Sequence, residues 1–183
     1  MSRGSEIASF LDGLNRLSGQ QWALRALVLV APLVALFATH QAGAPWRPWL
    51  AALLLGVTLL SALLPDSHAP LAVLLLTGVH WVLAVDENLS GWLLVATIAL
   101  LGFHVACLLA AYGPPSVVLD PILLRRWSVR TGLAAAAGAL VWLAASVAER
   151  LSPPGSGWLL AAALLVLLGW TVLLARRLVG AAG

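Results

Sequence analysis

Residues 91–112, "GWLLVATIALLGFHVACLLAAY", carry no aspartate, glutamate, lysine or arginine. As a helix this stretch measures about 33 Å, enough to cross the ~30 Å hydrocarbon core of a bilayer. An open strand is not an alternative, because in lipid its backbone N–H and C=O groups would have no partners. The stretch therefore sets the fold class: an all-α, polytopic integral membrane protein.

The rest of the chain agrees. Hydrophobic residues make up 62% and charged residues 9% of the 183, with a mean hydropathy of +1.00. A soluble domain carries roughly 25% charged residues, so no water-facing surface can be built from this composition. Five further apolar runs lie near 22–39, 48–64, 70–85, 129–148 and 157–175, giving six expected spans within residues 21–177. The breaks "HQAGAPWRP", "PDSHA", "DENLS", "GPPSVVLDP" and "ERLSPPGS" are polar or rich in proline and glycine. The runs at 48–64 and 70–85 reach only roughly 24 to 27 Å, so they form a tight hairpin or need their flanking prolines to complete the crossing. Pro32 is expected to bend the first span, since it removes a backbone donor.

Ahead of the spans, Ile7, Phe10, Leu11, Leu14 and Leu17 form one helical stripe opposite Glu6, Ser9, Asp12, Asn15 and Arg16. Residues 1–20 thus read as a short amphipathic helix, lying in the headgroup region or docked on the protein itself. "AGA" at 42–44 has the small residues of a signal cleavage site. The preceding run is longer than a signal core, so an uncleaved anchor is expected.

Arginine sets the orientation. Lysine is absent, which points to a GC-rich bacterial genome. With the amino terminus cytoplasmic, Arg3, Arg16, Arg25, Arg125, Arg126, Arg130, Arg176 and Arg177 fall inside, and only Arg47 and Arg150 fall outside. That imbalance follows the positive-inside rule. It places both termini, including the short tail 178–183, on the cytoplasmic side of a bacterial inner membrane.

"DPILLRRWSVR", residues 120–130, is the most basic segment. Asp120 followed by Pro121 is a strong helix start, with an N-cap acceptor and a proline whose missing donor costs nothing. From there a helix can run through Arg125, Arg126, Trp127 and Arg130 into the fifth span. These residues, with Arg176 and Arg177, are expected to anchor the chain at lipid phosphates. Nucleic-acid binding would need a larger basic face, so the expected partner is the lipid bilayer, with other membrane proteins or a second copy of the chain beside it.

Residues that could carry chemistry are few. His80 and His104 lie within the third and fourth runs, at depths of roughly 9 Å and 20 Å, an offset that argues against a shared haem or metal. An interhelical hydrogen bond is the plainer role for each, although ionisable residues inside a membrane are functional candidates by default. Asp86 and Glu87 form an acidic pair at the end of the third run, in what reads as a solvated turn capped by Asn88 and Ser90, with Trp81 and Trp92 near the interface. The lone Cys107 permits no disulfide within the chain. No catalytic motif is present, and no cofactor or metal is expected.

Packing chemistry is clearer. "TGLAAAAGAL" sets Gly132, Ala134, Ala136 and Gly138 at small-xxx-small spacing, which lets another helix approach closely. The expected function is a non-enzymatic accessory or scaffold subunit of a membrane assembly. A small transporter or channel, with a polar path through His80, Thr97 and His104, is the alternative. An intramembrane redox or enzyme component ranks third.

Overall fold

The computed structural model describes residues 18–86, 89–112 and 118–151, together with residue 169. Among them it is all-helical: α1 (Gly19–Gln41), α2 (Pro48–Leu63), α3 (Ala69–Ala84), α4 (Gly91–Ala111) and α5 (Pro121–Leu151). Three of these, α1, α4 and α5, are long and apolar enough to cross a bilayer. The chain is thus a helical membrane protein. Helices α2 and α3 are apolar but have 16 residues each, about 24 Å of rise. The amphipathic segment before Ser18, the sixth run at 157–175, Arg176, Arg177 and the tail 178–183 lie outside the described residues. Contacts divide the chain into two compact units, Met1–Gly132 and Leu133–Gly183, with the boundary inside α5.

Local chemistry explains where the helices begin and end. The Ser18 hydroxyl accepts from the Gln21 amide at 3.3 Å and opens α1. At its other end Gly43 takes a φ of 101°, which a side-chain-bearing residue rarely adopts. The Gly43 amide then donates to the His40 carbonyl at 3.0 Å and the Ala44 amide to the Thr39 carbonyl at 3.2 Å. This pair of bonds is a Schellman closure, and Pro45 two residues on keeps the helix from continuing. Pro32 sits inside α1, buried, and the helix runs through it. Helices α2 and α3 are joined by five residues, 64–68, where the Ser67 hydroxyl donates to the Leu64 carbonyl and accepts from the Ala69 amide.

The long basic helix starts where the sequence places it. The Asp120 carboxylate accepts from the Ile122 amide at 2.8 Å, and its carbonyl accepts from Leu124 at 3.0 Å. Asp120→Ala should lower stability by about 1 kcal/mol, the usual worth of such a cap. Faster amide hydrogen exchange confined to the first turn of α5 would register it; unchanged exchange there would mean that the cap carries no weight.

The core of the first unit is an apolar seam in which α1 and α4 make the most extensive contact. Phe37 near the end of α1 meets Trp92 near the start of α4 edge-on, with ring centroids 6.2 Å apart. At the opposite end, the Gln20 side chain accepts from the Leu119 amide beyond α4 at 2.9 Å. The two helices therefore run antiparallel. Small buried residues line the seam: Ala31, Ala35 and Ala38 from α1, and Ala96, Ala106 and Ala110 from α4. Two helices with no side chain beyond Cβ at these positions can approach closely, which is how membrane helices gain contact energy. Phe103, fully buried, fills the space among Val28, Leu50, Leu54 and Val73.

One expectation about the α3–α4 turn changes, at Ser90. Trp81, near the end of α3, is buried against Ala35, Ala38 and Ala96. Only Trp92 keeps an exposed ring at the start of α4. Ser90 occupies the N-cap position of α4, but its hydroxyl makes no capping bond. Instead its carbonyl accepts from Leu93, so the backbone alone starts this helix. Asp86 is exposed; Glu87 and Asn88 lie outside the described residues.

Candidate functional site

Some buried polar side chains of the first unit are satisfied within their own helix, whereas the Thr58 hydroxyl, the Trp81 Nε1 and the Gln21 amide have no partner among the described residues. The hydroxyls of Thr39, Ser61 and Thr77 donate to the carbonyls of Ala35, Val57 and Val73, one turn back, at 2.8 to 2.9 Å. Thr97 does the same to Leu93 on an exposed face of α4. A hydroxyl bonded in this way hides its polarity from lipid and offers little to a ligand.

The two intramembrane histidines have different surroundings. His80 is half-buried on α3 and lines a cleft with Leu36, Leu50, Leu54, Leu76 and Thr77 that has no room for a water molecule. His104 is exposed on α4, next to the buried Phe103. His104 is not among the residues that line the cleft at His80. Among the described residues no three histidine, cysteine, aspartate or glutamate side chains gather where a metal ion could be held.

Arg25 is the residue whose role sequence reading missed. It lies on α1 about 9 Å past Gly19, and one guanidinium N–H donates to the carbonyl of Ala62 in the last turn of α2. A helix leaves its final carbonyls without internal partners, and its C-terminal end carries partial negative charge, so a cation there is doubly favoured. Arg25 also lines a cleft of about 430 Å³ with Asp66, Ser67, Leu63, Leu64 and Ala110. Its Nε is buried and unpaired, and one turn earlier both amide atoms of the buried Gln21 are unpaired too. The only sequence signal was an arginine inside an apolar run, which had served to orient the chain.

The basic segment of α5 takes the form expected of it. Arg125, Arg126 and Arg130 are exposed, and the Arg130 guanidinium lies 5.9 Å from the centre of the Trp127 ring, an exposed cation–π contact worth about 0.5–1 kcal/mol. The helix has 31 residues, about 46 Å, which exceeds the hydrocarbon thickness by roughly ten residues. That excess equals the length of Pro121–Arg130. Farther along, a Cβ added to Gly132 or Gly138 would meet no described residue within 4 Å.

No protein-family model matches this chain, and no curated protein or solved structure is found to be similar to it. Its class, a helical membrane protein, rests on its own residues.

Proposed function

We propose that the protein is a non-enzymatic accessory or scaffold subunit of a membrane assembly, threaded six times through a bacterial inner membrane with both ends in the cytoplasm. One observation carries the reading: the interior of the first unit is given over to packing. The hydroxyls of Thr39, Ser61 and Thr77 are bonded to their own helices, and the cleft at His80 is too narrow for water. A solute path through His80, Thr97 and His104 would need these groups to face a common wet channel. Thr97 and His104 instead lie on exposed parts of α4, which favours the scaffold over the transporter.

A partner helix could settle on α5 against the Gly132–Ala136 pair or, about half a turn round the helix, against the Ala134–Gly138 pair. Purification in mild detergent followed by mass spectrometry should recover a membrane partner in stoichiometric amount. Gly138→Leu should release that partner by overpacking, at a cost of about 1–3 kcal/mol, while the chain still inserts. Recovery of the wild-type chain alone, monodisperse and passing solutes in liposomes, would overturn this reading in favour of transport.

A further inference from the structure

The cleft beside Arg25 combines features that no packing role explains. It is about 430 Å³ in volume, large beside the dry cleft at His80, and it holds one cation and one anion. Arg25 and Asp66 both line it, yet the described residues include no ion pair between them. Arg25 is engaged through one N–H with Ala62, and its Nε is buried without a partner. A guanidinium has five N–H donors, so most of its capacity remains unused. Asp66 is exposed at the mouth, and Ser67 adds a hydroxyl. The walls are apolar, and Leu63 and Leu64 also present exposed surface beside the cleft.

Charge decides among the possible occupants. A simple anion would be drawn to Arg25 but would meet the Asp66 carboxylate, and a simple cation would meet the reverse conflict. A molecule carrying a phosphate and an ammonium a few ångströms apart satisfies both groups at once. The apolar walls at the ends of α1, α2 and α4 further select a headgroup that arrives with an acyl chain.

We propose that this cleft binds the headgroup of an aminophospholipid, its phosphodiester on the Arg25 guanidinium and its primary ammonium on the Asp66 carboxylate. Arginine is suited to the first contact because its planar donors match phosphate oxygens. The ammonium supplies N–H donors to the carboxylate; a quaternary choline, having none, cannot. The site is independent of the scaffold reading and concerns the first unit alone.

The test uses the full chain purified in mild detergent. Thermal unfolding and native mass spectrometry are followed as phosphatidylethanolamine, phosphatidylcholine or phosphatidylglycerol with identical acyl chains is added. Phosphatidylethanolamine should raise the unfolding midpoint most and be retained about tenfold better than the other two, as one charge-assisted hydrogen bond allows. Asp66→Asn alters an exposed loop residue and should keep the fold, while phosphatidylethanolamine and phosphatidylcholine become equivalent. Arg25→Gln should weaken retention of all three phospholipids. An equal response to the three lipids, a preference for phosphatidylglycerol, or a phosphatidylethanolamine preference that survives in Asp66→Asn would overturn the proposal. Soluble glycerophosphoethanolamine acting as strongly as the lipid would overturn the assignment to a membrane lipid.

Discussion

Phe103→Ala should destabilise the first unit by about 2–3 kcal/mol, measured as a shift in denaturant-induced or thermal unfolding in detergent. Phe103 is fully buried, and it touches a cluster drawn from α1, α2, α3 and α4. In a water-soluble protein the same truncation costs about 3–5 kcal/mol, part of it from moving apolar surface out of water. That part falls away when the competing solvent is lipid. The lost contacts and the cavity remain, which sets the expectation at the lower end. Phe103→Leu should recover most of the loss. A shift below about 1 kcal/mol would mean that the four helices close around some other residue.

The second large effect concerns insertion. Exchanging Arg125, Arg126 and Arg130 together for glutamine should let α5 lose its orientation in a substantial fraction of molecules. All three are exposed in the first third of α5, a helix of 31 residues that is longer than a bilayer crossing requires. Basic residues next to an anionic membrane surface contribute about 1 kcal/mol each, so three amount to about 3 kcal/mol, on the order of a hundredfold in the ratio of orientations. A reporter fused at Gly155 should read external in the parent protein and divide between the two sides in the triple variant. If the reporter stays external and abundance is unchanged while a bound partner is lost, the segment is a docking surface and not an anchor.

What was legible in the sequence was what is decided locally. Asp120 and Pro121 lie next to each other and open α5 in the way their chemistry predicts. The ends of α2, α3 and α4 fall within a residue or two of the apolar runs. Tertiary pairing was not legible. The chain is rich in alanine, and the sequence singled out 132–138, whereas the seam that the first unit buries is made by Ala31, Ala35 and Ala38 against Ala96, Ala106 and Ala110. Both patterns have the right spacing, and only the meeting of α1 with α4 distinguishes them. Trp81 and Trp92 pose the same problem: each is close to a helix end, and the face that packs is settled by a neighbour. The partner of Arg25 lies 37 residues away, beyond the reach of any local motif.

The hydroxyls of Thr39, Ser61 and Thr77 have a consequence for biosynthesis. Each is bonded inside its own helix, so these three hydroxyls can enter the bilayer already satisfied. They need no exchange of partners when the helices later come together. Arg25 is different, because its carbonyl acceptor belongs to α2, which is synthesised after α1. The guanidinium gains this acceptor only once Ala62 has been made. Its bond to that carbonyl ties the end of α2 to the early turns of α1, so the placing of the short helix depends on one made before it.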